Sequence, residues 1–307
     1  MRSKSGRRVL IVGTGAMACL FGARLAPLAE VTLLGTWAAG LEALNKRGIR
    51  LDSDGKEEIH RVRATARPED CLGAEFALVL VKSWQTERAA AMLKTCLAED
   101  GVALTLQNGL GNIETLQSAL GEARAALGVT TTGATLLGPG HVRAGGSGPT
   151  HIARHPRLEA GKNLLEQAGF QVEIADDVEG LLWGKLVVNA GINPLTALLR
   201  VPNGRLLDLP EARALMTEAA TEAAAVAQAA GIRIPHADPV RQVEDVARRT
   251  ATNRSSMLQD ILRGAPTEID AICGAVTRQG ERLGIEVPVN RTLWRLVRSV
   301  VAAGGLS

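Results

Sequence analysis

The chain of 307 residues contains no tyrosine, and its other aromatics are only four tryptophans and three phenylalanines. A packed core must therefore be filled by Leu, Val, Ile and Ala, and no tyrosine can serve as an acid in any chemistry the protein performs. Cysteine is sparse too. Cys19, Cys71, Cys96 and Cys273 show no paired spacing, which argues against a structural metal and suits a reducing compartment. His151 and His155 have an H-x-x-x-H spacing with nothing nearby to complete a metal site, so they are read as loop residues and no metal is expected. The net charge of +3 is too small, and the basic residues too scattered, for a nucleic-acid partner, although a modest positive bias suits an anionic ligand. No stretch reaches the roughly 18 apolar residues of a membrane span. Arg2, Lys4, Arg7 and Arg8 ahead of an apolar run resemble a leader peptide, but the run is broken by Gly13 and Gly15 and carries Arg24. A soluble, cytoplasmic protein with no membrane partner is expected.

Alternation of short β-rich runs with helical ones fills the first half. Strands are expected at Val9–Val12, Val31–Leu34, Ile49–Leu51, Phe76–Val81, Val102–Leu106 and Ala125–Val129, and helices at Ala16–Leu25, Gly40–Lys46, Gln85–Leu97 and Asn112–Leu120. This order implies an α/β fold with a parallel, doubly wound sheet and ligands at the carboxyl ends of its strands. The Gly-rich segment Gly138 to Gly148 reads as a hairpin connection. Near Ala175 to Val178 the pattern changes, and helices are expected at Val178–Leu199, Glu211–Ala230, Pro239–Thr250, Ser256–Leu262, Thr267–Leu283 and Asn290–Ala303, with Gly231 and Gly284 ending two of them. Two domains follow: a dinucleotide-binding domain over residues 1–176 and an all-helical one over residues 177–307.

Arg8 to Ala18 is an apolar strand running into G-x-G-x-x-A. Gly13 allows the tight turn, Gly15 the approach of backbone to a pyrophosphate, and Ala18 the packing of helix on strand. Thr14, Ala16 and Met17 complete the loop, whose helix N-terminus offers N–H groups and partial positive charge to phosphates.

In the second half, Lys185, Asn189 and Asn193 fall at i, i+4 and i+8, one polar stripe on an otherwise apolar helix. Burying a lysine and two amides unpaired would cost several kcal/mol, so the stripe must face a hydrogen-bond network or a ligand. Lys82 and Asn108 each follow an expected strand at the edge where a cofactor would lie; either alone reads as a turn residue or solvated charge, and the shared location brings the functional reading level with that one. Ser256 and Gln259 are spaced as a capping box, and Thr267-Glu268-Ile269-Asp270 repeats that logic after Pro266, with Asp270 placed to serve the cap.

Together these segments resemble the ketopantoate reductase (2-dehydropantoate 2-reductase) family: the Gly13–Ala18 fingerprint, Val81 to Gln85, Gln107-Asn108-Gly109, Trp183 to Thr196, Pro202-Asn203-Gly204, Ser255 to Asp260, Thr267 to Asp270 and Pro288 to Thr292. The resemblance implies a Rossmann-type sheet followed by an all-helical domain, like that of 6-phosphogluconate dehydrogenase, with NADPH as hydride donor and a small 2-keto acid, ketopantoate, as substrate. It implies that Lys185 is the proton donor and that Glu268 is a carboxylate close to both substrate and cofactor. Asn189, Asn193 and Asn203 match positions binding the substrate's polar groups, and Ser256 one binding its carboxylate. Lys82 and Asn108 match positions near the nicotinamide and its ribose, with Asn108 reaching the substrate as well. One departure stands out: Thr36 occupies the position after the second strand where NADP-preferring members commonly carry an arginine, and no carboxylate that would select NAD precedes Glu42. Ketopantoate reduction in pantothenate biosynthesis is the expected activity. Alternatives are reduction of another branched 2-keto acid, or an idle NADP-binding redox sensor, and a homodimer is the candidate assembly.

Overall fold

The computed structural model describes residues 7–304; Arg2 and Lys4 of the basic start lie outside the described residues. Two compact units form. One takes in the chain up to Gln107 together with Asn112–Val178; the other comprises Asn108–Gly111 and the chain from Glu179 onward.

The strands of the first unit are β1 (Arg8–Val12), β2 (Glu30–Leu34), β3 (Ile49–Ser53), β4 (Lys56–His60), β5 (Arg63–Thr65) and β6 (Ala74–Val79). They continue with β7 (Leu97–Thr105), β8 (Ala125–Thr130), β9 (Ala134–Gly138), β10 (His141–Ala144), β11 (Thr150–Ala153) and β12 (Val172–Ala175). Its helices are α1 (Ala16–Leu25), α2 (Ala38–Arg47), α3 (Thr86–Cys96), α4 (Asn112–Leu120) and α5 (Glu159–Gln167). The main sheet has the order β12-β11-β8-β7-β6-β1-β2-β5. Residues of β1 alternate between two cores: Val9 and Ile11 pack with Phe21 of α1 on one face, Leu10 and Val12 with Leu93 of α3 and Leu116 of α4 on the other. That two-sided burial is why β1 reads as an unbroken apolar run.

The main sheet is parallel as expected from β8 to β5, and one pair beyond it departs from that order. β11 runs antiparallel to β8, joined across the pair by a 2.8 Å hydrogen bond between the buried hydroxyls of Thr130 and Thr150. His151 accordingly lies in this strand beside Glu173 and not in a loop. A second sheet, ordered β4-β3-β10-β9, holds the hairpin expected in the Gly-rich segment. On it Asp52, Glu57 and His141 come within 4.8 Å of one another. Asp52 already has His141 at 2.9 Å and Arg143 at 3.7 Å, and Arg50 pairs Glu57 at 2.8 Å, so the group reads as a network of hydrogen bonds and ion pairs.

The second unit contains α6 (Val178–Leu199), α7 (Arg205–Asp208), α8 (Pro210–Ala229), α9 (Pro239–Arg249), α10 (Ser256–Leu262), α11 (Cys273–Leu283) and α12 (Pro288–Ala302). Its core is built on α8, where Met216, Ala219, Ala220, Ala223, Val226 and Ala227 recur at helical spacing and are fully buried. Burying Met216 or Val226 contributes about 1.5–3 kcal/mol each. From the same helix Glu222 accepts 2.8 Å hydrogen bonds from the backbone N–H groups of Val289 and Asn290, a carboxylate held at the positive end of α12. Pro194 lies inside α6 and cannot donate to the carbonyl of Ala190; the Cys273 thiol takes that place at 3.8 Å. Gly231 and Gly284 both adopt left-handed backbone at helix ends, as expected. No helix among the described residues is long and apolar enough to cross a membrane.

Candidate functional site

In the first unit the fingerprint forms the turn from β1 into α1. Gly13 has φ +134°, and a side chain there would bring its Cβ within 2.9 Å of the carbonyl oxygen of Leu80, so only glycine fits. At Gly15 an added Cβ would meet nothing within 4 Å, which leaves open space above the start of α1. The N-cap of that helix is Gly15, which has no side chain to cap it, so the first N–H groups suit an anion. Ala18 is fully buried against the sheet. A cleft of about 170 Å³ runs beside this turn, lined among others by Gly13, Thr14, Thr36, Trp37 and Lys82. The open Gly15 face and the uncapped helix start fit a dinucleotide pyrophosphate. Lys82 lies beyond the end of β6, which stops at Val79 rather than at the expected Val81.

The second unit carries the polar stripe. Lys185, Asn189 and Asn193 all lie on α6; Lys185 and Asn189 are half-buried and Asn193 is buried. Withdrawal from water pushes the Lys185 ammonium down to about 8, against the opposing pull of the Glu268 carboxylate. Glu268 is itself buried and accepts a 3.3 Å hydrogen bond from the Asn108 side-chain amide. Asn108 belongs to this unit because the turn that follows it docks here. Leu110 N–H donates to the carbonyl of Ala271 at 3.0 Å, and Gly109, at φ +80°, lies so close to Ala271 that any Cβ would overlap it. Lys185, Glu268 and Asn108 are thus brought together from positions far apart in sequence.

Two expected helix starts are placed differently. The cap of α10 is Ser255, not Ser256: its Oγ accepts from Leu258 N–H at 3.0 Å and from the Thr196 hydroxyl of α6 at 2.7 Å. Gln259 donates instead to the carbonyl of Arg254. Ser256 is left half-buried and outside the capping role, next to a residue tied to the Asn193 end of α6. Thr267 does not open α11, which starts at Cys273, so Glu268 lies in an irregular turn. Asp270 is no cap either. Its carboxylate accepts from the Trp294 indole N–H at 2.8 Å. Asn203 is buried, with its amide nitrogen donating to Thr250 at 2.9 Å and its N–H to the carbonyl of Asn253. Its Oδ1 is buried without a partner among the described residues. The Thr196–Ser255 link and the Asn108–Glu268 bond escaped sequence reasoning, since both join residues more than 50 positions apart.

Residues 9–157 match the family model described as "Ketopantoate reductase PanE/ApbA", and residues 177–301 the one described as "Ketopantoate reductase PanE/ApbA C terminal". A 2-dehydropantoate 2-reductase of Archaeoglobus fulgidus is 38% identical over 299 residues, 96% of this chain and 98% of that protein. The chain belongs to the ketopantoate reductase family. Solved structures agree. A ketopantoate reductase of this family from Ralstonia eutropha superposes with a TM-score of 0.91 at 36% identity, covering 97% of this chain and 99% of that one. A D-mandelate dehydrogenase solved with NADH and anilino(oxo)acetate also gives 0.91, at 25% identity and the same coverages. In a ketopantoate reductase framework the apolar α6 with its single polar stripe is the segment richest in chemistry, and a nicotinamide cofactor accords with the turn between β1 and α1.

Proposed function

We propose that the protein reduces 2-dehydropantoate to pantoate with NADPH, in a reducing cytoplasmic setting consistent with its four free, buried thiols. The observation that carries this reading is the Lys185 ammonium on the polar stripe of α6, interacting with the buried Glu268 carboxylate that Asn108 holds. When bound, the nicotinamide supplies a hydride to the keto carbon. Negative charge then develops on the carbonyl oxygen, and the Lys185 ammonium is the acid able to protonate it in a chain that lacks tyrosine. Glu268 opposes the loss of that proton and, through its hydrogen bond to Asn108, is held in place. Asn189 and Asn193 continue the stripe toward the substrate's polar groups, and the buried Oδ1 of Asn203, without a partner among the described residues, suits a substrate hydroxyl. Ser256, freed from capping by Ser255, serves the substrate carboxylate. Gly13, Thr14, Gly15, Ala16, Met17 and Ala18 hold the cofactor's pyrophosphate, with Thr36 and Lys82 along the cleft.

NADPH consumption measured against a panel of 2-keto acids tests the proposal: ketopantoate should give the highest kcat/KM. The likeness to D-mandelate dehydrogenase supports a second reading, reduction of a bulkier 2-keto acid with NADH. Phenylglyoxylate with NADH outrunning ketopantoate with NADPH would establish that alternative, and no turnover with any keto acid would leave only a dinucleotide-binding protein.

A further inference from the structure

Thr36 leaves the end of β2 without the cation that ordinarily grips a 2′-phosphate, yet the cleft it lines is not short of positive charge. Arg88 of α3 lines the same cleft as Thr36 and Trp37, the residues that follow β2. With Lys82 it gives the cleft two basic residues, and among the described residues lining it there is no carboxylate. The charge balance therefore favours an anion and offers nothing to hold a bare ribose 2′-hydroxyl in the manner of an NAD enzyme.

Arg88 is exposed and makes no ion pair among the described residues. Its position is not explained by the needs of its helix. It is the third residue of α3, in the first turn, where the helix's own partial positive charge makes a cation unfavourable. The adjacent Glu87 does not relieve it, because neighbours in sequence point about 100° apart around a helix. The guanidinium instead has the planar fork that suits a phosphate dianion, and Thr36 adds a hydroxyl to the lining of the same cleft.

We propose that Arg88, assisted by Thr36, grips the 2′-phosphate of the cofactor, so that the specificity determinant has moved from the end of β2 to the first turn of α3. This rests on the NADPH reading above. Isothermal titration of the intact protein with adenosine 2′,5′-bisphosphate and with 5′-AMP tests it without turnover, because the two ligands differ only in the 2′-phosphate. The wild-type protein should bind the bisphosphate about tenfold to a hundredfold more tightly, the scale of one or two charge-assisted hydrogen bonds. Arg88→Ala should abolish that preference while leaving 5′-AMP affinity within about twofold, which also shows that the variant is folded; Arg88→Lys should retain part of it. A preference that survives Arg88→Ala overturns the assignment of Arg88 alone. Equal weakening of both ligands overturns it too, placing Arg88 on the shared adenosine. A wild-type protein that does not distinguish the two ligands refutes the NADPH reading, and this proposal with it.

Discussion

Replacing Glu268 with glutamine should leave the shape of the site intact and change how readily Lys185 gives up its proton. Burial holds the lysine at about 8, some 2.5 units below the ordinary 10.5, a net cost near 3 kcal/mol to its charged form. The Glu268 carboxylate resists that fall. Removing one close opposite charge typically moves a pKa by about one to three units. With a shift of about two units, the protonated fraction at pH 7.5 drops from roughly 75% to roughly 3%, a fall of about twenty-five-fold in the competent acid. The assay is kcat/KM for keto-acid reduction from pH 6 to pH 10, which reports the free enzyme's acid. The wild-type rate should decline above about pH 8, and the decline should begin at lower pH in Glu268→Gln. The reverse oxidation needs the neutral amine and should show the opposite slope. Because Glu268 caps no helix and glutamine can still accept from Asn108, the melting temperature should change by only a few degrees. A variant whose pH profile overlays the wild type would refute the coupling between the two residues, as would a wild-type profile flat to pH 10.

Lys185→Ala should bind cofactor normally but lose at least about a hundredfold in turnover, measured under single-turnover conditions; near-normal turnover would remove it as the acid. Ser255→Ala should lower stability in urea by about 1–2 kcal/mol, since it strips both the α10 cap and the Thr196 bond, whereas Ser256→Ala should melt as wild type and raise KM for the keto acid. Gly109→Ala combines positive φ with overlap on Ala271 and should destabilise by about 2 kcal/mol or more; a change under about 0.5 kcal/mol in the unfolding midpoint would show that the turn can shift.

How much could be read beforehand follows from which signals are local. The turn after β1 was legible because its three small residues do their work within six positions, and α6 because its polar stripe is set by helical period. β4 was not: Lys56 to Glu58 and Ile59 are all exposed, so the strand has no buried face to leave an alternating pattern. β11 and β12, four residues each, are too short to separate from loops. Two adjacent serines at 255 and 256 are equivalent as caps until Thr196, 59 residues away, selects the first. Thr267-Glu268 carries a cap signature, but Glu268 is held by Asn108 and Asp270 by Trp294, and those distant partners override the local preference. Arg88, a single exposed arginine, has no sequence signature; only the cleft around it gives it meaning.

The four residues Asn108 to Gly111 bear on how this architecture can be divided and recombined. The helical unit is not one continuous stretch of polypeptide: it borrows a short insert from the first half of the chain, seated on Ala271 and hydrogen-bonded to Glu268. A fragment beginning at Glu179 would lack that insert, leaving the Ala271 carbonyl without its Leu110 donor and the Glu268 carboxylate without Asn108. The helical half is therefore a poor candidate for transplantation between chimaeric reductases as a simple C-terminal cassette. Any exchange that respects the chemistry must carry the 108–111 loop along with it, so the two halves of the chain are constrained to change together.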